Sequence, residues 1–474
     1  MPIEQNIPSA PSVEYSGVNY LTSSQIIKGY ALAQKEVDEE LYGRYNDTDL
    51  GVMRLMEELG QKKATTSVDY EHYEEDFNRE IIRVNAGYTV AAAVTTFTVS
   101  SSSPDFVFEY PPSGETFYPA AVTAYGTSVR EGDVLEAKVG AARYFMRVGT
   151  VTNASTTTFV AELFDVTGGA ATFAAGLAGV EIFKTGRIGA ETGNTPKGLE
   201  TRLIKYQNNI QIIDEGYEFT STSMAQESFF GGDKKFNYVR SILNTRKRFD
   251  ATCDLNLLTG RKITSSSSAF NEMLSSEGLI PFLQNYSNEV TYTTLTLDKF
   301  NEMSLNLRKF SAPDKVMLLC SASFETDIED LLRESGGLTA GGVIYDASKG
   351  GKHEVDFGFK RFTKGSIEYN VKSIKALTDP KSLGSADSPY ANYGMVLPTG
   401  TVESFDYGKN PVTVPAIRLR YQDVPYHEEG YREWLTGGSG TPNPTDTSRT
   451  NKVNMVKHVG FEAFKPNTMG IFTK

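Results

Sequence analysis

Cysteine is nearly absent from this chain of 474 residues, which contains only Cys253 and Cys320. Two cysteines this far apart in sequence form neither a disulfide framework nor a metal-binding motif. This cysteine content fits a chain that is made and kept in a reducing cytosol. No stretch approaches the roughly 18 consecutive apolar residues of a membrane-spanning helix. The polar N-terminus, MPIEQNIPSAPSVEYSG, lacks the basic segment and apolar run of a signal peptide.

An excess of positive charge is also missing. Lysine and arginine total 47 against 59 aspartate and glutamate residues, so the net charge is -12. Proteins that grip DNA use a basic face, because much of their affinity comes from neutralised phosphates. The acidic balance therefore argues against tight nucleic-acid binding, although it permits a position beside DNA. Apolar residues make up 39% of the chain, which is enough for a folded core.

Catalytic motifs are absent as well. The chain has no H-E-x-x-H, C-x-x-C, G-x-S-x-G or G-x-x-x-x-G-K-[ST] sequence. The nearest approach to a phosphate-binding loop is SKGGKHE, residues 348–354. His353 stands where that loop needs serine or threonine for magnesium, so a polar surface loop is the favoured interpretation.

The four histidines are His72, His353, His427 and His458. His72, in YEHYEED, invites an acid/base pair with Glu71 or Glu74, but no second histidine lies nearby in the sequence. We predict a solvated charged edge there, and the same for HEEGYREW, which begins at His427. Catalytic, cofactor-binding and metal-binding residues are therefore expected to be none, and the chain is predicted not to be an enzyme.

Two further segments have simple structural interpretations. Cys320 lies within VMLLCSA and is predicted to be a buried structural thiol. The one dense basic run is NTRKRF, residues 244–249. On a helix these charges point in different directions around the axis, which favours a solvated or intersubunit face over a nucleic-acid-binding surface.

The N-terminal part of the chain changes from an arm to helices and then to extended segments. Pro2, Pro8 and Pro11 predict an extended arm over about the first 22 residues. Apolar spacing predicts a helix from Ser24 and a second short helix that ends at Gly60. TTSVDYEHYEEDFNREIIRV, with alternating β-branched, aromatic and polar residues, is predicted to be extended.

The middle of the chain is predicted to be a compact antiparallel β-domain. Between residues 86 and 190, alternation recurs in TTFTVS, GDVLEAKV, YFMRVGTV and TTFVAELF, separated by glycines and polar clusters. Alternation returns in TRLIKYQNNIQIIDEGYEFTSTS, a suitable partner for residues 68–84. The pattern predicts a long two-stranded arm with the β-domain inserted near its tip.

After the arm, the sequence predicts one long helix and a small α/β unit. The helix begins near Asp233 and ends at Thr259-Gly260. Its predicted buried face consists of Phe236, Val239, Leu243, Phe249, Cys253 and Leu257. The order LDKFNEMSLNLRKFS, KVMLLCSA, SFETDIEDLLRES predicts helix, strand, helix, and SIEYNVKSI and NYGMVLPTG predict later strands.

This order of parts resembles the Hong Kong 97-type fold of tailed-phage major capsid proteins. Within it, the chain is similar to the SU-ten-like major head protein group. VREGDVLEAKVG resembles a strand of that group's β-insert, and Asn208 with Gln211-Ile212 matches its N-x-x-Q-I sequence. The segments LLTG, EGLIPFL and PDKVMLLCSASFETDI also agree with the group. The chain departs from it at two positions: Tyr70 stands where the group often has tryptophan, and Val129 stands where it has an aromatic residue. Length and insert are also similar to crAss-like phage capsid proteins.

The resemblance implies an α+β fold with a small all-β insertion domain in the E-loop. Its implied divisions are 1–64, N-terminal arm and helices; 65–85, first E-loop strand; 86–190, inserted β-domain; 191–221, E-loop return strand; 222–275, P-domain with spine helix; 276–404, A-domain; and 405–474, a C-terminal segment returning to the P-domain.

The resemblance also implies a function and partners. The chain would assemble with itself into hexamers and pentamers of an icosahedral head that encloses double-stranded DNA without sequence-specific binding. Portal, scaffold and decoration proteins are the further expected partners, with no membrane and no cofactor. The expected location is the virion, after synthesis in the bacterial host cytoplasm. Alternatives are another virion structural protein, in the tail or portal, and an enzyme with an inserted β-domain.

Overall fold

A computed structural model of the chain describes residues 51–53, 56, 62–76, 80–83, 89–91, 94–99, 106–108, 116–118, 129–153, 157–167, 181–189, 202–220, 236–263, 273, 275–335, 361–380, 382–385, 388–399, 401–404, 412–425, 430–438 and 450–474. The predicted N-terminal arm, the first predicted helix, and the segments around His353 and His427 lie outside these residues.

The fold is mixed α and β. The strands are β1 (Lys62–Thr65), β2 (Asp69–Asp76), β3 (Glu80–Arg83), β4 (Thr89–Ala91), β5 (Val94–Val99), β6 (Phe106–Phe108), β7 (Thr116–Tyr118), β8 (Asp133–Val139), β9 (Ala142–Asn153), β10 (Thr157–Thr167), β11 (Glu181–Arg187), β12 (Arg202–Asn209), β13 (Gln211–Thr220), β14 (Asn288–Thr291), β15 (Lys315–Cys320), β16 (Arg361–Lys364), β17 (Ile367–Ser373), β18 (Gly394–Pro398), β19 (Thr401–Ser404), β20 (Val412–Pro415), β21 (Ile417–Gln422), β22 (Tyr431–Gly437), β23 (Thr450–Ala463) and β24 (Gly470–Thr473). The longer helices are α1 (Phe236–Thr259), α2 (Leu279–Tyr286), α3 (Leu297–Lys309) and α4 (Ala322–Ser335).

The described strands form five sheets. The largest has eight strands in the order β4-β5-β10-β9-β8-β11-β3-β6. A six-stranded sheet runs β14-β24-β18-β15-β17-β16, and a five-stranded sheet runs β1-β21-β23-β13 with β22 also on β23. β2-β12-β7 and β19-β20 are the smaller sheets.

By contacts, the chain divides into two compact units. One unit comprises residues 1–48, 216–245 and 435–453. Its described part includes the start of α1. There Thr245 is buried, and its hydroxyl donates to the Ser241 carbonyl oxygen at 2.8 Å. The other comprises residues 49–215, 246–434 and 454–474 and contains the eight-stranded, three-stranded and six-stranded sheets.

The eight-stranded sheet buries one face in a core of its own. Leu135, Met146 and Phe159, from three neighbouring strands, are fully buried. Alternation along β8 and β9 places every second residue on this face, which is the pattern that the sequence showed. β3, which precedes residue 86, belongs to this sheet because it pairs with β11.

The predicted α/β unit is confirmed. β15 lies between α3 and α4 along the chain and pairs in parallel with β17 and antiparallel with β18. Phe300 of α3, Phe324 of α4 and Phe472 of β24 are fully buried beside this sheet. Cys320, at the end of β15, is fully buried, and burial raises the pKa of its thiol to about 12. The prediction of a buried thiol is therefore confirmed.

The long helix ends where the sequence predicts, and Gly260 explains why. A Cβ on Gly260 would lie 2.5 Å from the Asn256 carbonyl oxygen and 2.8 Å from that of Ser276. Only glycine fits this close approach. The predicted start at Asp233 lies outside the described residues, as does the Phe236 side chain.

The predicted buried face of α1 is correct for its second half and wrong for its first. Phe249, Cys253 and Leu257 are buried, whereas Val239 and Leu243 are each 48% exposed. Helical spacing identifies residues that share a face, but it cannot show whether other elements cover that face along the whole helix. Asp254, buried on this helix, accepts hydrogen bonds from the main-chain N–H groups of Gly51 (3.2 Å) and Met53 (2.5 Å) at the start of the short N-terminal helix.

The described helices include none with the length and hydrophobicity that a membrane crossing requires.

Candidate functional site: the base of the paired-strand arm

The predicted two-stranded arm is present only in part: β2 pairs with β12, whereas β3 belongs to the eight-stranded sheet and β13 lies beside β23 in the five-stranded sheet. β2 and β12 pair antiparallel over eight residues each, from Asp69 opposite Asn209 to Asp76 opposite Arg202. The main-chain N–H of Ile210 donates to the carbonyl oxygen of Val68 at 2.8 Å and closes one end of the pair. The other edge of β12 pairs with β7. We call the β2–β12 pair the arm, and the end at Asp69 and Asn209 its base.

The two faces of the arm differ in burial. Tyr70 on β2 and Ile204, Tyr206 and Asn208 on β12 are at most 9% exposed. On the opposite face, Tyr73 is 41% and Leu203 is 39% exposed. Because side chains alternate along a strand, this split follows directly from the sequence alternation. One face is therefore covered by the rest of the chain and the other is accessible.

Hydrogen bonds fasten the covered face to β23. The Tyr70 hydroxyl donates to the Phe461 carbonyl oxygen at 2.5 Å, and Asn208 Nδ2 donates to the same oxygen at 2.8 Å. Asn208 Nδ2 also donates to the Glu277 carbonyl oxygen at 3.0 Å, and its Oδ1 accepts from the Glu277 N–H at 2.8 Å. The side chain of Asn208 therefore joins the arm to both β23 and the segment before α2.

Gly460 allows this close approach. A Cβ at that position would lie 2.7 Å from the Tyr70 hydroxyl oxygen and 2.9 Å from the Asn209 carbonyl oxygen. Both contacts are shorter than Cβ atoms tolerate, so a larger residue would push the arm away from β23.

A buried ion cluster lies beside these hydrogen bonds. The Glu462 carboxylate accepts from Arg418 Nε at 2.6 Å and from Arg420 Nε and Nη2 at 2.6 and 2.9 Å. Its side chain is 1% exposed, and those of the two arginines are 10% and 9% exposed. The Arg420 guanidinium also lies over the Tyr70 ring, 5.4 Å from its centroid. The cluster therefore contacts the arm directly.

The charges in the cluster balance the cost of burial. Burial by itself would raise the pKa of Glu462, but hydrogen bonds from Arg420 and Arg418 outweigh it and hold the pKa below its ordinary value. Burial and the positive charges of Arg420 and Arg418 lower the pKa of Lys63, on β1. Glu462 is thus an ionised partner of two arginines, with its oxygens occupied by their hydrogen bonds.

His72 lies within this cluster, so the prediction of a solvated charged edge is wrong. Its side chain is 14% exposed, with Nε2 3.4 Å from Glu74 Oε1 and Nδ1 3.6 Å from Glu462 Oε1. The ring stacks on Tyr206, with 5.1 Å between centroids, and tilts against Phe464 at 4.7 Å. Alternation placed His72 correctly on one face of β2, but the covering of that face comes from residues 464 and 462, far away in sequence.

A cavity of about 20 Å³ adjoins the cluster and is lined by Tyr70, His72, Tyr206, Asn208, Glu277, Phe282, Phe461 and Glu462, among others. This volume suits one water molecule. Burial raises the pKa of Glu277, outweighing the hydrogen bond that its carboxylate accepts from Asn285. The site is thus organised as a structural joint between the arm, β23 and the segment before α2.

Other residues considered in the sequence lie elsewhere. The ring Nδ1 of His458 is 2.7 Å from Gln422 Oε1, and Cys253 is buried on α1. Within the described ranges, no three His, Cys, Asp or Glu side chains form a group that could hold a metal ion. The absence of catalytic and metal sites in the whole chain stays a prediction.

The basic run on α1 is largely paired within the chain. Arg246 Nε and Nη2 donate to the Glu433 carboxylate at 3.0 and 2.7 Å, and Arg248 Nε donates to Glu215 Oε1 at 2.6 Å. Lys247 is exposed. These arginines therefore serve intrachain ion pairs.

Sequence reasoning found part of this joint. Asn208 was singled out by its match to N-x-x-Q-I, and Tyr70 was noted as the residue that stands where the SU-ten-like group often has tryptophan. It missed Arg418, Arg420 and Glu462. The signal available was the spacing of two in IRLRYQ, which puts both arginines on one face of a predicted strand.

No protein-family model matches this chain, and no curated protein sequence matches it. Among solved structures, it is similar to a cyanophage A-1(L) capsid asymmetric unit, with 10% identity over 60% of this chain and 84% of that one and a TM-score of 0.38. A Gordonia phage Cozz structure has 10% identity over 98% of both chains and a TM-score of 0.37. The holo-SrpI encapsulin complex of Synechococcus elongatus has 9% identity over 57% of this chain and 75% of that one, with a TM-score of 0.30. Since each TM-score is below 0.5, these similarities add no weight to a functional assignment.

Proposed function

We propose that this chain is a major capsid protein of the Hong Kong 97-type fold that resembles the SU-ten-like major head protein group. It assembles into hexamers and pentamers of an icosahedral phage head that encloses double-stranded DNA. Portal, scaffold and decoration proteins are its further partners in the virion. The eight-stranded sheet is the insertion domain of the E-loop, and the arm is the E-loop itself.

The observation that carries the proposal is the pairing of β2 with β12 on either side, in sequence, of the eight-stranded sheet. The chain then continues into α1, whose 24 residues span about 36 Å. The α/β unit with β15 follows. This succession of arm, inserted sheet, long helix and α/β unit supports the resemblance drawn from the sequence motifs, because it preserves their order.

The two faces of the arm support a role in assembly. Its covered face is fixed to its own chain through Tyr70 and Asn208. Its accessible face carries Tyr73 and Leu203, whose apolar surface is available to a neighbouring subunit. A shell subunit needs such repeated surfaces, because closed symmetry brings the same patches together in every copy.

Charge supports the container role. A chain with a net charge of -12 repels packed DNA rather than holding it, so the genome can leave the head. No base-reading interaction is required for this role.

Negative-stain electron microscopy and sedimentation of the expressed full chain test the proposal. We expect hexamers, pentamers or closed shells of uniform diameter. A chain that stays monomeric at concentrations at which capsid proteins assemble would overturn it.

A matched pair of variants tests the arm. Tyr73→Ser combined with Leu203→Ser should leave the far-ultraviolet circular dichroism unchanged and abolish shells. Leu305→Ser, which alters a 61% exposed residue on α3, should still assemble. If the arm variant assembles as the control does, the arm is not an assembly surface.

A further inference from the structure

The eight-stranded sheet has a second face, opposite its buried core. Register fixes which residues share it: Phe183 of β11 stands opposite Glu136 of β8, and Glu136 stands opposite Phe145 of β9. On β10, the register shifts between Leu163 and Asp165, a β-bulge next to Phe145. Leu163 packs on the core side, whereas the bulged residue Phe164 does not.

Three phenylalanines therefore form one row across four neighbouring strands, and we call this row with its surroundings the outer face. Phe164 is 53% exposed, Phe183 is 48% exposed, and Phe145 between them is half-buried. At about 4.8 Å per strand the row is roughly 14 Å long. Glu136 on β8 stands in this row between Phe145 and Phe183. Exposed aromatic surface bordered by charged groups in this way usually marks a contact site.

The charges around the row balance. Among the side chains that the structure describes, the outer face carries three cations and three anions: Lys138, Arg143, Arg147, Glu136, Glu162 and Asp165. Arg147 stands opposite Glu162 in the register, and Arg143 Nη1 lies 3.5 Å from Glu136 Oε1. The described charges of the outer face therefore cancel, on a chain whose net charge is -12.

We propose that the outer face binds the outer face of a second copy of this chain. Copies with a charge of -12 repel each other, so they meet most readily where the net charge is zero and both signs are present to pair. A strongly basic or strongly acidic partner would meet equal attraction and repulsion on this surface. A second copy presents the same phenylalanine row and the same balanced charges, which is the self-complementarity that a two-fold contact needs.

The size of the outer face sets the strength of the contact. A row about 14 Å long, on strands about 4.8 Å apart, covers far less than the roughly 800 Å² per partner of a stable interface. The contact is therefore weak between free subunits and strong when other contacts hold copies together at high local concentration. This inference rests on the proposed function only because the shell supplies that high local concentration.

Cysteine cross-linking of the full-length chain tests the inference. Cys253 and Cys320 are fully buried, so the unmodified chain gives little background. Asp165→Cys places a thiol beside the row, and Leu305→Cys on α3 is the control. A short bismaleimide should convert the Asp165→Cys chain to a covalent homodimer, read on a denaturing gel and by intact mass.

Dependence on the phenylalanines decides the result. Adding Phe164→Lys and Phe183→Lys should reduce the homodimer yield at position 165 at least tenfold, and it should leave the yield at position 305 and the circular dichroism unchanged. Equal yields with and without the lysines would overturn the inference, as would capture of a different protein at position 165 without a homodimer. If the chain forms shells but position 165 does not cross-link, the proposed contact is wrong and the proposed shell stands. If position 165 cross-links but no shells form, the proposed shell is wrong and the contact stands.

Discussion

The hydroxyl of Tyr70 donates a hydrogen bond to the main-chain carbonyl oxygen of Phe461, at 2.5 Å across a separation of 391 residues. The same oxygen accepts from Asn208, so one carbonyl of β23 holds both strands of the arm. Burial, and then the negative charge of Glu462, raise the pKa of the Tyr70 phenol, which keeps it protonated and able to donate. The angle at which the arm leaves the chain is thus fixed at this point.

Tyr70→Phe should lower the free energy of unfolding by about 1–2 kcal/mol, because a buried hydrogen bond is lost while the ring is kept. Tyr73→Phe is the matched control on the same strand: its hydroxyl donates to Glu71 at 2.6 Å in an exposed hydrogen bond, so we expect a change within about 0.5 kcal/mol. Urea denaturation measures both. Equal effects would show that the Phe461 contact does not stabilise the fold.

Glu462 and Glu277 should affect stability with opposite signs. The pKa of Glu462 is held low, so its contribution is present above the unfolded pKa of about 4.3 and is lost as pH falls through the folded value. Glu462→Gln should therefore lower the free energy of unfolding by about 3 kcal/mol at pH 7, because two buried arginines lose their carboxylate partner. The loss should become smaller as the pH falls below about 4.

The pKa of Glu277 is raised, so its contribution is present below about pH 4.3 and is lost as pH rises through the folded value. Glu277→Gln should then increase stability at pH 7 and have little effect at pH 4. Denaturation midpoints of both variants between pH 3.5 and 7 provide the measurement, in steps of about half a unit. Two curves with the same sign at pH 7 would contradict this account of the joint.

Phe249→Ala on α1 should cost about 3–5 kcal/mol, because the ring is 1% exposed and contacts Tyr431 with 6.1 Å between centroids. Leu243→Ala, six residues earlier on the same helix, removes a 48% exposed side chain and should change stability by less than about 1 kcal/mol. Thermal and urea unfolding of the two variants compare them directly. A Leu243→Ala cost as large as that of Phe249→Ala would mean that this half of the helix is covered.

The eight-stranded sheet should fold as an isolated segment, provided that β3 is included. Residues 80–190 retain the pairing of β3 with β11, whereas residues 86–190 leave the β11 edge open. We expect the longer segment to be soluble and β-rich by circular dichroism and to unfold at a higher urea concentration than the shorter one. Equal midpoints would show that β3 adds nothing to the domain.

In assembled particles, this domain should lie on the outside. Gly140 lies in the turn between β8 and β9 with φ +64, where a cysteine would be strained, so the neighbouring exposed Ala141 is the better labelling site. Ala141→Cys should react with a bulky maleimide before the particles are opened. Reaction only after disruption would place the domain inside or within an interface.

Local patterns explain why much of the fold could be predicted. The presence of β2, the return strand β12, the end of α1 at Gly260 and the α3-β15-α4 order all follow from alternation, helical spacing and glycine placement over ten to thirty residues. The exposed first half of α1 could not be predicted in the same way. Val239 and Leu243 lie on the same apolar face of the helix as buried residues, but helical spacing does not show which parts of that face other elements cover.

By itself, the sequence determined which segments are strands or helices, which faces of them are apolar, and that the arm strands can pair. Only the tertiary structure decided that His72 is covered, that Glu462 lies between Arg418 and Arg420, and that Phe461 receives both Tyr70 and Asn208. The reason is physical: periodicity reports the direction in which a side chain points from its own element. The partner it meets there depends on chain segments hundreds of residues away, whose approach no local pattern records.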